Sequence, residues 1–283
     1  MRQTQGSVVC GSCGKLVGIN EDKCPYCEAW RPGLFGWAPF IQGLFGRRLD
    51  LVSLILMTCV TMFAVSLLLQ PEAIFSGGGL FSILSPGSRA LYQLGMTGGV
   101  AWSEGWWWTL LTANYLHGGL LHILFNMMWV RNLAPVSTEV FGPARTFVLF
   151  NVAGVTGFLF SNVMSALSNF GFASPTIGAS GGIFGLLAAL IVYGRRRGVS
   201  TMERQLWQWA IILFVLGFIM RGVNNWAHFG GFVGGWSAAY FMGFIDEERE
   251  GTPILLTTLI LIILTFLGFV MSFVQITEAL LGG

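Results

Sequence analysis

Serine and histidine side chains beside glycine-rich turns are the groups in this chain whose types and spacing could do chemistry. Ser180 lies within Gly178-Ala-Ser-Gly-Gly-Ile-Phe-Gly185, where an apolar stretch begins. All three histidines, His117, His122 and His228, also lie beside apolar stretches. A serine hydroxyl within about 2.6–3.2 Å of an imidazole forms a nucleophile with its general base. We therefore predict Ser180 as a nucleophile and His228 as its base.

The surroundings of this pair predict a dyad. No Asp or Glu lies near the start of either apolar stretch, so packing must hold the base in place of a third residue. Phe184 lies one helical turn after Ser180 and is expected to stack on the His228 ring. Free N–H groups at a helix N-terminus would stabilise an oxyanion beside Ser180. The alternative is that Ser180 only packs helices and His228 only forms a hydrogen bond.

An earlier apolar stretch carries a second polar group. His122 and Asn126 are four residues apart and share one helical face, which should point into a bundle. Two interpretations stay open: hydrogen bonds that hold helices together, or donors to a charge that develops in a reaction. His117 projects from a different face and is expected to fix the preceding segment to the helix end.

Glycine spacing predicts that two of these helices touch. Gly181 and Gly185 form a small-x-x-x-small pair in the serine stretch, and Gly231 and Gly235 form another in the histidine stretch. Such pairs let helix backbones approach closely. A Ser–His hydrogen bond requires that approach.

The composition identifies the elements that must position these groups. Of the 283 residues, 54% are hydrophobic and 10% are charged, and the mean hydropathy is +0.70. Soluble domains carry about 25% charged residues, so we predict a polytopic α-helical membrane protein. A spanning helix needs roughly 20 apolar residues. Seven segments meet that rule approximately: 49–69, 117–134, 145–166, 178–194, 207–223, 226–245 and 254–276.

The distribution of positive charge predicts an orientation. Of the 15 Lys and Arg residues, all but Arg89 and Arg221 fall on one side of the predicted spans. The positive-inside rule then places the N-terminus in the cytoplasm and the C-terminus outside, as in a plasma or bacterial inner membrane. With this orientation the polar groups near His122, Ser180 and His228 lie at one depth, in the outer leaflet. A shared site explains that coincidence better than chance does.

The N-terminal segment carries a different kind of site. Cys10, Cys13, Cys24 and Cys27 form a C-x2-C-x10-C-x2-C pattern. Two such pairs suit tetrahedral thiolate ligation of zinc, with iron as an alternative metal. Disulfides or free thiols are also possible, although a cytoplasmic location disfavours disulfides. Because all four ligands come from the protein, we expect a structural role.

The predicted domain organisation follows these features. We expect a zinc-ribbon-like module over 1–30, an interfacial linker over 31–48, a six-span core over 49–245 and an extra C-terminal helix over 246–283. An outer segment over 71–115 has few charges and is expected to dip into the membrane. Its Trp106-Trp107-Trp108 run fits an aromatic belt or a surface that faces a substrate.

The polar motifs together resemble the rhomboid family of intramembrane serine proteases. Gly178-Ala-Ser-Gly181 with Ile183-Phe-Gly185 resembles the family's serine motif. The run from His117 through His122 to Asn126 resembles its H-x4-H-x3-N helix, and Ala227-His228-x-x-Gly231-x-x-x-Gly235 resembles its histidine helix. The resemblance covers about 100–245, and the seventh span resembles the six-plus-one forms.

That resemblance implies roles for individual residues. Ser180 would be the nucleophile and His228 the general base, while His122, Asn126 and the backbone N–H groups of Ala179 and Ser180 would form the oxyanion hole. The 71–115 segment would be the family's membrane-embedded first loop. Thr109 departs from the pattern, because the family often has Arg after the tryptophan. The cysteine module is not part of the family pattern.

The sequence therefore predicts a serine endopeptidase that cleaves transmembrane helices of other proteins near the outer face. It needs a lipid bilayer and no cofactor for catalysis, and no nucleic-acid partner is expected. The alternative within the family is a catalytically silent relative that binds or escorts membrane proteins. A transporter would place polar groups along a path to both faces, whereas here they cluster in one leaflet.

Overall fold

The structure is a computed structural model that describes residues 4–10, 15–33, 36–38, 51–75, 83–167, 174–220, 222–244 and 250–281. Cys13 and most of the linker predicted over 31–48 fall outside these residues. The chain forms two compact units, residues 1–53 and 54–283.

The described residues of the larger unit are mainly helical, with turns and one isolated β-bridge between Thr97 and Thr176. Between its longer helices lie two 3₁₀ turns, Pro71–Phe75 and Ala113–Tyr115. The α-helices are α1 (Leu51–Leu69), α2 (Ser88–Gln93), α3 (Val100–Ser103), α4 (Thr109–Thr112), α5 (Leu120–Phe141), α6 (Pro143–Leu167), α7 (Ser180–Arg197), α8 (Ser200–Ile219), α9 (Asn225–Phe241) and α10 (Thr252–Leu281).

The predicted all-α bundle is confirmed, with differences at helix ends. Each of the seven predicted spans coincides with a long helix. The second span, predicted over 117–134, is instead helical over Leu120–Phe141 and continues through Pro135. The fifth, predicted over 207–223, is helical over Ser200–Ile219, since polar residues at its start also form helix. Among the residues that the structure describes, three helices are long and apolar enough to cross a membrane: Leu51–Leu69, Pro143–Leu167 and Thr252–Gln275.

Helix α7 lies at the centre of the bundle. Nearly all of its side chains from Ile183 to Val192 are buried, and α5, α6, α8 and α9 pack around it. The helices α6, α7 and α9 meet through glycines. A Cβ placed on Gly181 would lie 3.4 Å from Cα of Gly154 on α6, and one on Gly157 would lie 2.5 Å from the carbonyl oxygen of Ala227 on α9.

The start of α6 is capped by a residue far along the chain. Pro143 is its first residue, a position where the missing N–H of proline is no loss. The N–H of Arg145 donates to Oε1 of Glu250 at 2.7 Å, across 105 positions of sequence. Burial raises the pKa of the Glu250 carboxyl, and its hydrogen bonds from the N–H groups of Arg145 and Ala144 act in the opposite direction. A carboxylate therefore supplies an acceptor to the first turn of α6.

The segment before α5 folds into short turns joined by buried hydroxyl groups. The hydroxyls of Thr97 and Thr109 lie 3.1 Å apart, and Nδ2 of Asn162 on α6 donates to Thr97 Oγ1 at 3.3 Å. The N–H of Thr176 donates to the carbonyl of Thr97 at 2.8 Å. Thr109, which stands where the family often has Arg, thus joins a buried hydrogen-bond network.

The smaller unit contains a two-stranded antiparallel ribbon. Strand β1 (Ser7–Val9) pairs with β2 (Leu16–Gly18), with Val8 opposite Val17. Their side chains, with Ile19, form a small buried cluster around Cys10 and Cys24. In the described part of this unit the buried cluster comprises only a few side chains, which is little apolar burial to stabilise a fold.

Candidate active site

Ser180 and His228 each lie near the start of a helix, at the same end of the bundle. Ser180 is the first residue of α7, and His228 is in the first turn of α9. The His228 ring stacks on Phe184 with ring centroids 4.4 Å apart and planes inclined by 21°. Because Phe184 lies one turn after Ser180, this contact holds the imidazole beside the serine helix. Nδ1 of His228 is buried and has no hydrogen-bond partner among the described residues.

Glycine contacts set the separation of the two helices that carry these residues. A Cβ on Gly231 would overlap the carbonyl of Gly181, and one on Gly235 would overlap the backbone of Gly185. The backbones of α7 and α9 are therefore in direct contact at both pairs. Gly231 follows His228 by one turn and Gly181 follows Ser180, so the contact lies next to the candidate dyad.

The start of α9 is fixed by Asn224. Oδ1 of this residue accepts from the N–H groups of Trp226 and Ala227 at 3.1 and 3.3 Å, as an N-cap. Its Nδ2 lies 2.6 Å from Oγ of Ser161 on α6 and 2.9 Å from Oγ1 of Thr176. Asn224 thus ties the helix of His228 to α6 and to the segment leading into Ser180.

His122 and Asn126 face the turn before Ser180. The N–H of Gly118 donates to Nδ1 of His122 at 3.2 Å. A neutral imidazole that accepts at Nδ1 carries its proton on Nε2, so Nε2 is a donor. A Cβ on Gly178 would lie 2.7 Å from Nε2 of His122 and 3.5 Å from Nδ2 of Asn126. Two side-chain N–H donors therefore converge on the Gly178–Ser180 turn.

Gly178 is required in this turn for two reasons. Its φ of 123° is one that L side chains rarely adopt, and any Cβ would meet the His122 ring. The N–H of Gly178 donates to the carbonyl of Ala113 at 2.9 Å. Ala179 follows as the N-cap residue of α7. The backbone leading into Ser180 is therefore held by the Ala113 carbonyl on one side and by the His122 ring of α5 on the other.

His117 lies before α5 and not on it. It is fully buried, and its ring meets the edge of His122 with centroids 5.1 Å apart. Asn114, which sequence reasoning did not single out, is also fully buried, and its side-chain atoms have no hydrogen-bond partner among the described residues. It fills the space left by Gly154.

Trp108 is buried, an environment that neither an aromatic belt nor a substrate-facing surface predicts. Its Nε1 donates to Oγ of Ser272 on α10 at 3.0 Å. Trp107, in contrast, is 56% exposed. The tryptophan run therefore has one member that packs inside the protein and one that faces outwards.

Three of the cysteines in the smaller unit cluster together. The Sγ atoms of Cys10, Cys24 and Cys27 all lie within 4.8 Å of one another, and Cys10 Sγ lies 3.8 Å from Cys27 Sγ. The N–H of Glu28 donates to the carbonyl of Cys24, which closes a tight turn around the second pair. A cluster of this size fits thiolate ligands around one metal ion. Cys13 lies outside the described residues.

Two of the residues missed by sequence reasoning, Asn224 and Ser272, had local signals. Asn224 directly precedes a helix, which is the usual position of an N-cap. Ser272 belongs to a series of hydroxyl residues, Thr258, Thr265 and Ser272, spaced seven apart on a largely apolar helix. Asn114 has no such signal, because its burial depends on the glycine of another helix.

Comparison with known proteins finds one matching family. The sequence model of the Rhomboid domain matches residues 104–245. The chain is 31% identical over 170 residues to "Rhomboid protease GluP" of Bacillus subtilis (strain 168), which covers 59% of this chain and 32% of that protein.

Other relatives are similar to the same part of the chain. "Putative rhomboid protease YdcA" of Bacillus subtilis (strain 168) is 31% identical over 176 residues, covering 60% of this chain and 85% of that protein. "RHOMBOID-like protein 5" of Arabidopsis thaliana is 31% identical over 171 residues, covering 58% of this chain and 52% of that protein. The chain thus spans from about a third to most of the length of these relatives.

Proposed function

The chain belongs to the rhomboid family of multi-pass membrane proteins, and from that premise we propose that it is an intramembrane serine endopeptidase. Its substrates would be transmembrane helices of other proteins, cut near the outer face. Relatives named as rhomboid proteases support a protease at the level of the family. The Ser–His dyad of this chain is our proposal.

The observation that carries the proposal is the position of the His228 ring. It stacks on Phe184, one turn beyond Ser180, while Gly231 contacts Gly181 directly. A residue that only held helices together would not need an imidazole stacked against Phe184. Because Nδ1 has no hydrogen-bond partner among the described residues, stacking would supply the orientation that a third residue gives in a triad.

The proposed reaction begins with attack of Ser180 Oγ on a peptide carbonyl carbon. His228 accepts the hydroxyl proton and later donates it to the leaving amine, so that an acyl-enzyme forms and the C–N bond breaks. Water then attacks the ester, and His228 takes a proton from that water and returns it to Ser180 Oγ as the C–O bond to serine breaks. The dyad regains its starting protonation, and the carboxylic acid that is released loses its own proton to solvent.

The oxyanion of each tetrahedral intermediate would be held at the turn before α7. His122 Nε2 and Asn126 Nδ2 both face this turn. The N–H groups of Ala179 and Ser180 belong to the helix N-terminus, where intrahelical acceptors are missing. Donors held in this way would be in place before the charge develops, which is the condition for electrostatic catalysis.

The substrate class follows from the physics of helices in lipid. Hydrogen bonds of an intact helix shield its carbonyls, so a helix must unwind locally before Ser180 can attack. Substrates with Gly, Pro or small residues near the cut are therefore favoured. The positive-inside rule supports cleavage near the outer face, with the N-terminus in the cytoplasm of a plasma or inner membrane.

The test is cleavage by the purified protein in detergent or liposomes of a labelled single-span substrate with a helix-breaking residue near its outer end. Wild type should release a fragment, and Ser180→Ala should not. A folded wild type that binds the substrate without cutting it would support the silent relative instead.

For the smaller unit we propose one structural zinc ion, with iron as the alternative. Cys10, Cys24 and Cys27 would supply three thiolates, and Cys13 would be the fourth by its position in the sequence pattern. The metal would hold the two turns together and take no part in catalysis. Metal analysis of the purified chain tests this, and a finding of neither zinc nor iron would overturn it.

A further inference from the structure

Helix α10 presents a narrow polar stripe to the rest of the bundle. Among its described side chains, the buried ones are Thr258, Thr265, Gly268 and Ser272. They repeat at intervals of three, four and seven residues, so they share one face. Most of its other residues are apolar and exposed, and the remaining polar ones lie towards its two ends: Thr252, Thr257, Gln275, Thr277 and Glu278. This helix lies beyond residues 104–245, which are the part matched by the family domain.

The end of this stripe that carries Ser272 packs against the segment before α5. Ser272 is completely buried and accepts the indole N–H of Trp108 at 3.0 Å. A Cβ on Gly268 would lie 3.0 Å from Cγ2 of Thr112 and 3.3 Å from Cβ of Trp108. Thr112 in turn donates to the carbonyl of Gly95 at 2.7 Å. α10 therefore contacts both ends of the short helix α4.

The contact continues to the turn that carries the nucleophile. Directly after α4, the ring of Tyr115 meets Phe269 of α10 at 6.4 Å, and its hydroxyl donates to Oδ1 of Asn151 at 2.8 Å. Between these anchors lies Ala113, whose carbonyl accepts the N–H of Gly178. Gly178 is joined to Ser180 through Ala179 alone, so this hydrogen bond lies two residues before the serine.

We propose that Ser272 is a positioning residue for Ser180, which makes α10 a part of the catalytic apparatus. This inference rests on the proposed protease function. The Ser272–Trp108 hydrogen bond fixes α4, α4 fixes the Ala113 carbonyl, and that carbonyl fixes the Gly178 amide and the oxyanion turn. The indole N–H is buried away from water, so loss of its acceptor would leave the donor unsatisfied and would displace Trp108.

The alternative is that Ser272 only stabilises the fold. Thr265 provides the matched control, because it is buried on the same stripe and its hydroxyl donates to Leu261 of its own helix. Thr265→Val removes a hydroxyl of α10 and keeps the side-chain shape. A purely structural contribution of the stripe would appear in both variants.

The experiment compares wild type, Ser272→Ala and Thr265→Val in three measurements. These are kcat and KM for the single-span substrate, the rate of labelling of Ser180 by a fluorophosphonate, and hydrogen exchange of the peptide containing Gly178. We expect Ser272→Ala to lower kcat and the labelling rate about tenfold, since small displacements at a reacting centre are costly. KM should change little, and the Gly178 amide should exchange faster. Thr265→Val should behave as wild type.

A double-mutant cycle with Trp108→Phe isolates the hydrogen bond. Once the indole N–H is gone, Ser272→Ala should cause no further loss, so the double variant should match the single ones. Additive losses, or unchanged Gly178 exchange in Ser272→Ala, would overturn the proposal. Inactivity of the wild type would count against the protease function alone, because the exchange measurement does not require activity.

Discussion

At the scale of residues, the proposed chemistry depends on two side chains acting as one unit. Ser180→Ala and His228→Ala should each abolish cleavage, and the double variant should be no worse than either. The measurement is turnover of a labelled substrate by proteins with matched melting temperatures. Cleavage at the wild-type rate by Ser180→Ala would show that another group performs the reaction.

His122 and Asn126, the two side-chain donors that face the turn before Ser180, can be tested separately from the dyad. His122→Ala and Asn126→Ala should each lower kcat by about 10- to 1000-fold, as for lost oxyanion-hole donors. Their thermal stability should stay close to that of wild type. If stability falls sharply while turnover per folded molecule is normal, the two residues act only as hydrogen bonds between structural elements.

The sequence was informative about residues where spacing along one helix decides the geometry. The stacking partner Phe184 is one turn from Ser180, and His122 and Asn126 share a face by the same rule. The tautomer of His122 could not be predicted from the sequence, because it depends on the N–H of Gly118 in the turn before α5. Asn114 was missed for a similar reason, since its neighbour Gly154 belongs to another helix.

At the scale of elements, backbone contact between α7 and α9 is the feature that would bring the two residues of the proposed dyad together. Gly235→Val would insert a side chain where the two backbones already touch, and Gly185→Val would overlap Ala153 of α6 and place its Cβ 3.2 Å from the Gly231 carbonyl oxygen of α9. We expect activity to fall about 100-fold for a displacement near 1 Å. Gly222→Val is a control outside this interface, because no atom lies near its Cβ position, although its φ of 82° adds strain. Full activity in both interface variants would contradict the contact.

The cap on α6 provides a second test at this scale. Glu250→Ala removes the acceptor of the Arg145 N–H and should cost about 0.5–2 kcal/mol, as for other helix caps. Glu250→Gln keeps a neutral acceptor and should lose less. Thermal unfolding in detergent measures both, and equal stability of all three proteins would show that the cap contributes nothing.

Helix positions were predictable from hydropathy, whereas their ends and the segment before α5 were not. The second span continues to Phe141 through Pro135, beyond the apolar stretch. The short turns around Thr97 and Thr109 are joined by hydrogen bonds to α6 and to Thr176. Such long-range partners leave no periodic signal in the sequence.

At the scale of the whole molecule, the two compact units are expected to work separately. The smaller unit has little buried core, so its fold should depend on the metal. Chelation or Cys24→Ser should therefore increase proteolysis within residues 1–30. Residues 49–283 alone should still cleave a single-span substrate, because the candidate site lies in the other unit. Loss of cleavage by a folded 49–283 protein would instead assign the cysteine unit a role in regulation or substrate presentation.

The carboxylate that caps α6 also sets an order of events during biosynthesis. A ribosome finishes α6 long before it reaches Glu250, since 105 positions separate the two partners. Until then the first turn of α6 lacks this acceptor. The nascent core can insert helix by helix, but the first turn of α6 gains its cap only when Glu250 has emerged from the ribosome. A released chain truncated before residue 250 would therefore be a better target for quality-control proteases than one that includes Glu250.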